Sequence, residues 1–173
     1  MVPFDRLFYF NQRRSNNIGT QNSEHLIYAD EDYMIQGCVS DDDVFSVDSD
    51  LAALGLKTSE SMNFMLCAPY RPSDDPGSLS DLYLFYNSSD GYVKVTQWTN
   101  QQWHISPDTP FSRGASFVGC DNDYYNNLIA YVINEDGQLE QWSLNRNLTS
   151  PWTRGELPIF PKSDQISRVS IET

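Results

Sequence analysis

A segment of this 173-residue chain recurs, with the same kinds of residue in the same order, about 46 to 53 positions further along. Phe64-Met65-Leu66-Cys67 returns as Phe117-Val118-Gly119-Cys120, and Leu82-Tyr83-Leu84-Phe85-Tyr86 returns as Leu128-Ile129-Ala130-Tyr131-Val132. Asp90-Gly91 returns as Asp136-Gly137, and Trp103 as Trp152. A period of this length, with each unit reading as short strands around an Asp-Gly turn, marks propeller blades, which stack because no blade alone can bury its two faces. The offset changes only where loops absorb it. The Pro/Ser/Asp/Gly-rich stretch 69–80 is longer than its counterpart 121–126, and extra residues lie at 145–150 before the last tryptophan. A register pairing Pro110-Phe111-Ser112-Arg113-Gly114 with Pro151-Trp152-Thr153-Arg154-Gly155 breaks the order of every other match and is rejected.

The repeat predicts an all-β chain, a partial β-propeller of about three four-stranded antiparallel blades plus a terminal strand. The blades fall at residues 4–57, 58–110 and 111–158 of a single repeat domain, and 159–173 either starts the next blade or supplies a closing strand, at 166–172. Strands are expected at 6–10, 25–29, 33–39 and 44–47 in the first blade, and at 116–120, 128–133, 138–144 and Trp152 in the third. A hydrophobic share of 39% and an aromatic share of 13% suffice for a packed core. Tyr92-Val93-Lys94-Val95-Thr96-Gln97-Trp98 alternates with the period of two of a strand with one buried face. The best helix candidate, 49–56, is short.

A formal charge of −13 argues against nucleic acid and anionic membrane surfaces as partners, since no basic cluster larger than Arg13-Arg14 offsets it. No apolar run approaches the length of a membrane span, and Met1-Val2-Pro3-Phe4-Asp5 lacks the layout of a signal peptide. Two glycosylation sequons, Asn87-Ser88-Ser89 and Asn147-Leu148-Thr149, tilt the open question of compartment toward secretion. Cys67 and Cys120 occupy one repeat position on separate strands, so they and Cys38 are expected to be reduced, buried thiols with no Cys67–Cys120 bond.

The run Leu82-Tyr83-Leu84-Phe85-Tyr86-Asn87-Ser88-Ser89-Asp90-Gly91-Tyr92-Val93, leading on to Trp103, resembles the blades of the fungal fucose-binding lectins, a six-bladed propeller family. The likeness covers the second and third units well and the first poorly. It implies a sugar held between adjacent blades by an arginine on the strand before the turn, a glutamate on the strand after it, and aromatics from neighbouring strands. At those positions this chain has Tyr83 and Ile129 for the arginine, and Val95 and Gln141 for the glutamate. Glu140 lies one residue off register, which points a strand side chain to the other face, so the family's charge-assisted contacts do not carry over.

Aromatic residues supply the remaining candidates. Trp98, Trp103, Trp142 and Trp152 are flat platforms for the C–H face of a sugar ring, and Glu140 and Arg154 complete the candidate sugar-binding set. Trp103 and Trp152 share a repeat position, where packing between blades is the competing role; Arg113 and Arg154 could equally be solvated loop residues. Asp41-Asp42-Asp43, Asp48, Asp50 and Asp121-Asn122-Asp123 offer hard oxygen ligands, but none follows the calcium-loop pattern, so solvated turns are expected and no metal or cofactor. Only His25 and His104 could act as near-neutral bases, and neither a G-x-S-x-G nor an H-E-x-x-H motif is present.

These features predict a non-enzymatic, lectin-like protein that holds a sugar in a groove between blades on a tryptophan platform. A propeller-type protein-interaction scaffold is the alternative, and a fragment of a propeller glycosidase, with carboxylates converging on the axis, is the second. The expected partners are a glycan or a protein. A fan of about three blades leaves two open flanks, which a homodimer or the rest of a longer propeller would cover.

Overall fold

The computed structural model describes residues 7–16, 19–41, 44–61, 63–67, 82–99, 102–106, 109–122, 127–144 and 152–156. Strands β1 (Leu7–Asn16), β2 (Gly19–Ala29), β3 (Ile35–Asp41) and β4 (Val44–Val47) form one antiparallel sheet in chain order. A helix, α1 (Ser49–Ala53), follows. The second sheet holds β5 (Phe64–Cys67), β6 (Leu82–Asn87), β7 (Val93–Thr99) and β8 (Gln102–Ile105); the third holds β9 (Ser116–Asn122), β10 (Leu128–Ile133), β11 (Leu139–Leu144) and β12 (Trp152–Arg154). The leading strands β1, β5 and β9 approach one another in succession, which fans the sheets about a common axis as a partial propeller. Among the described residues no helix is long and apolar enough to cross a membrane.

The central hairpin of each sheet turns on one four-residue geometry. Tyr33 N–H donates to the Asp30 carbonyl, Gly91 N–H to Ser88 and Gly137 N–H to Asn134, at 3.0, 2.9 and 3.0 Å. The fourth residue has positive φ in each: 65° at Tyr33, 86° at Gly91 and 76° at Gly137. Glycine meets that demand without steric cost, and tyrosine does not. The first blade therefore hides its turn from the Asp-Gly pattern. Tyr33 also makes β3 start at Ile35 rather than at 33, and β1 and β2 run past 6–10 and 25–29 as one ladder from Leu7↔Tyr28 to Asn16↔Gly19. The terminal strand expected at 166–172 lies outside the described residues.

Alternation along the strands builds two cores between sheets. Leu82, Leu84 and Tyr86 face the first sheet with Ile27, Ala29 and Trp98, while Tyr83 and Phe85 face the third with Phe117, Ala130 and Val132. β6 is covered on both sides, so its sequence is an unbroken apolar run. Each such side chain contributes roughly 1.5–3 kcal/mol on burial. Helix α1, shorter than 49–56, plugs the first joint with Leu51, which is fully buried. Asp48 caps it, accepting from Leu51 N–H at 3.0 Å, and Gly37 leaves room for it, since a Cβ there would meet Leu51 Cδ2 at 2.9 Å.

The cysteine expectation is overturned: Cys67 and Cys120 form a disulfide, with Cα atoms 6.4 Å apart, and only Cys38 is free. The reason is a β-bulge. In β5, Phe64 pairs with Tyr86 and Cys67 with Tyr83, so the two point to opposite faces and Cys67 faces the third sheet. In β9, the register slips between Tyr131 and Val132, pairing Phe117 with Val132 but Cys120 with Ala130. The extra residue rotates Cys120 onto the face of Phe117, toward Cys67. Cys38 is partly exposed rather than buried.

Candidate functional site

The pairing of β10 with β11 sets Trp142 opposite Ala130 and Glu140 opposite Val132. Ala130 and Val132 are buried in the core shared with the second sheet, so Glu140 and Trp142 point into the groove between the second and third sheets. β12 places Arg154 opposite Trp142 on the same face. Three of the six sequence candidates thus meet at one inter-sheet groove.

Their geometry is tightly tied. Glu140 Oε1 accepts from Arg154 Nη2 at 2.7 Å and from Asn134 Nδ2 at 2.9 Å, while Oε2 accepts from Trp142 Nε1 at 3.0 Å. The Glu140 side chain is 12% exposed and that of Arg154 59%, so the carboxylate sits inside and the guanidinium at the rim. Phe111 backs the Trp142 ring edge-on, with centroids 6.0 Å apart. Asn134 also ties the hairpin turn to the carboxylate, because its Oδ1 accepts from Asp136 N–H at 3.0 Å and from Gln138 N–H at 2.9 Å. A carboxylate offers about four lone-pair sites, and three donors occupy it here, leaving acceptor capacity beside the exposed N–H fork of the arginine. An oriented acceptor and donor beside an indole face are the groups that read sugar hydroxyls and stack on a ring.

The cluster is confined to one groove. The positions of Glu140, Trp142 and Arg154 hold Lys94, Thr96 and Ile105 in the second sheet, and Gln36, Cys38 and Val47 in the first. Lys94 instead pairs with Asp90 at its own turn. Asn134 and Phe111 escaped sequence reasoning as site residues. The available signal was positional, since Asn134 opens the turn that Ser88 and Asp30 open in the other blades.

The other candidates lie in the joints. Trp103 and Trp152 are 5% and 9% exposed and pack between sheets, Trp103 donating from Nε1 to Asp48 Oδ2 at 2.7 Å and Trp152 meeting Phe85 and Phe111 edge-on. Trp98 is 8% exposed and meets His25 edge-on at 5.3 Å. Burial pushes the His25 pKa below its usual 6.5, against the opposing pull of Asp48. Tyr83, where the resemblance would place an arginine, is buried, and its hydroxyl accepts from Gln97 Nε2 at 3.2 Å. Arg113 is exposed beside Gly91, and His104 is exposed.

Asn87, the first sequon, is committed to the joint: its Oδ1 accepts from Phe117 N–H at 3.1 Å and its Nδ2 donates to Ser116 Oγ at 3.1 Å, bonds that a glycan on that nitrogen would disturb. Asn147 of the second sequon lies outside the described residues, as do Asp42, Asp43 and Asp123 of the acidic loops. Among the described residues no group of three or more His, Cys, Asp or Glu is placed to hold a metal ion.

No protein-family model and no curated relative matches the sequence. Solved structures do match its fold. The fucose-specific lectin of Aleuria aurantia superposes with a TM-score of 0.65 at 14% identity over 90% of this chain and 47% of its own. That lectin is described as a six-bladed β-propeller. A variant of AofleA from Arthrobotrys oligospora gives 0.61 at 18% identity, over 91% of this chain and 43% of its own. A fucose lectin of Kordia zhangzhouensis, solved with methyl-fucoside, gives 0.57 at 13% identity, over 86% of this chain and 99% of its own. The chain therefore has the fold of these lectin propellers and spans less than half the length of the fungal ones.

Proposed function

We propose that this chain is a carbohydrate-binding protein that holds a neutral sugar in the groove between its second and third sheets. The observation that carries the reading is the Glu140, Arg154 and Trp142 cluster, present at one groove of a fold whose solved examples bind fucose. Glu140 accepts from one hydroxyl, Arg154 donates to a neighbouring one, and Trp142 covers the apolar side of the ring. The acidic surface matches a neutral ligand better than an anionic one. The Cys67–Cys120 bond suits an oxidising compartment, where secreted lectins meet glycans.

A glycan array read with the full chain tests this, followed by titration of the strongest hit. One charge-assisted hydrogen bond is worth about 1.5–3 kcal/mol, so Arg154→Ala and Glu140→Gln should each weaken binding roughly 10- to 100-fold. Trp142→Ala should abolish it, with the urea midpoint showing that the fold survives. A silent array, or wild-type affinity in Trp142→Ala, overturns the proposal. The protein-partner alternative has its own support, the open flanks of the first and third sheets.

A further inference from the structure

In each blade the hairpin turn supplies the partner of one residue on the strand that follows it. Gln36, Lys94 and Glu140 hold equivalent positions on β3, β7 and β11. Asp30 Oδ2 accepts from Gln36 Nε2 at 3.3 Å, Lys94 pairs with Asp90, and Asn134 Nδ2 donates to Glu140 Oε1 at 2.9 Å. The polarity changes between blades. In the first two a carboxylate in the turn meets an amide or an ammonium on the strand, whereas in the third the carboxylate is on the strand and the amide is in the turn. Asp30 and Asn134 are nonetheless held alike, since the Oδ1 of each accepts two backbone N–H groups. Those of Asp32 and Met34 reach Asp30 at 3.0 and 2.9 Å, and those of Asp136 and Gln138 reach Asn134 at 3.0 and 2.9 Å. These donors fix the orientation of the Asn134 amide, because turning it over would set its NH2 group against them. Its Nδ2 is thereby committed to the Glu140 side.

We infer that Asn134 is the positioning residue of the groove: it holds Glu140 by Oε1 and so keeps Oε2 as the oxygen presented to a sugar hydroxyl. The lone pairs decide which oxygen that is. Oε1 takes two donors, Asn134 and Arg154, and is filled. The described residues give Oε2 one donor, the indole N–H of Trp142, which leaves it a lone pair at the edge of the Trp142 ring. With the carboxylate 12% exposed, a hydroxyl that donates to Oε2 lies beside the indole on which its ring stacks. The ligand in this account rests on the proposed sugar groove, whereas the hydrogen bonds that carry the positioning are made without one.

Asn134→Asp tests this in the full chain, since Asp30 shows that an aspartate keeps the same turn while a carboxylate oxygen replaces the donor to Glu140. Two carboxylates at that distance repel, so Glu140 should turn away and release the Trp142 N–H. The indole resonance of Trp142 in a proton–nitrogen correlation spectrum, identified by its loss in Trp142→Phe, should move and exchange faster with solvent. On an array of neutral glycans, apparent affinity should fall roughly ten-fold. Adding Glu140→Gln recreates the Asp30–Gln36 pair in the third blade, so it should cost far less in Asn134→Asp than in the wild type and should return the indole resonance toward its original place. Asn134→Ser, which copies Ser88 of the second blade, should release the same resonance and serves where the aspartate variant does not fold by circular dichroism. An unmoved resonance in a folded variant, or additive losses in the double change, overturns the inference. A wild type that binds no glycan while the resonance responds as expected overturns the sugar reading and upholds the positioning.

Discussion

Trp103 and Trp152 hold one structural position, but their indole N–H groups differ. That of Trp103 reaches Asp48, whereas that of Trp152 is buried without a hydrogen-bond partner among the described residues. The residue equivalent to Asp48 is Ser106: the N–H of each bonds the carbonyl of its third strand, Gly37 at 2.8 Å and Val95 at 3.1 Å. Serine is too short to repeat the contact. Trp103→Phe should therefore cost about 1–3 kcal/mol more than Trp152→Phe, because the first strands a buried carboxylate oxygen and the second removes an orphan donor. Urea midpoints of the two variants measure the difference; equal losses would contradict this account. Counting from the turn puts Glu140 on the opposite face from Gln141, and the ladder agrees: Glu140 pairs with Val132, on the side of the second sheet, and Gln141 with Tyr131.

At the scale of single elements, β9 has the largest effect that residue type alone conceals. One bulged residue converts two cysteines at equivalent positions from divergent to convergent, and the bond they form joins the leading strands of the second and third sheets across a sequence separation of 53. In the chain-entropy account a loop of that length stabilises the fold by about 4 kcal/mol, with measured values typically about 2–4 kcal/mol. Reduction, or the Cys67→Ser and Cys120→Ser double change, should lower the urea midpoint accordingly. An unchanged midpoint would mean the joint is held by its stacked Phe85 and Phe117 rings and by the Asn63 and Asn87 bonds to Phe117 alone. The turn Asp30–Tyr33 likewise departs from local pattern, since its hydrogen bonds match those of the two Asp-Gly turns while its sequence does not.

Over the whole molecule, charge and topology act in opposite directions. The chain carries a formal −13, so folding gathers like charges, while burial between the sheets favours the compact state. Screening tips that balance. The Debye length falls from about 30 Å at 0.01 M salt to about 8 Å at 0.15 M, and the urea midpoint should rise over that range. Urea titration at the two salt concentrations measures it; a midpoint that falls with salt would indicate that ion pairs, and not apolar joints, hold the sheets together.

The repeated Phe-x-x-Cys, the apolar run of β6 and the Asp-Gly turns determined the class of fold, because burial on two faces and positive φ restrict residue type locally. The pairing of the two central strands in each sheet followed, since a short turn lets only neighbours pair. Only the tertiary structure decided which side chains meet. A bulge, invisible in residue type, set the direction of Cys120; the meeting of Glu140, Trp142 and Arg154 depended on the register of three strands. The physical reason is that a strand's period of two makes every side-chain direction hostage to a one-residue slip, and slips are settled by packing between sheets rather than within the segment that carries them.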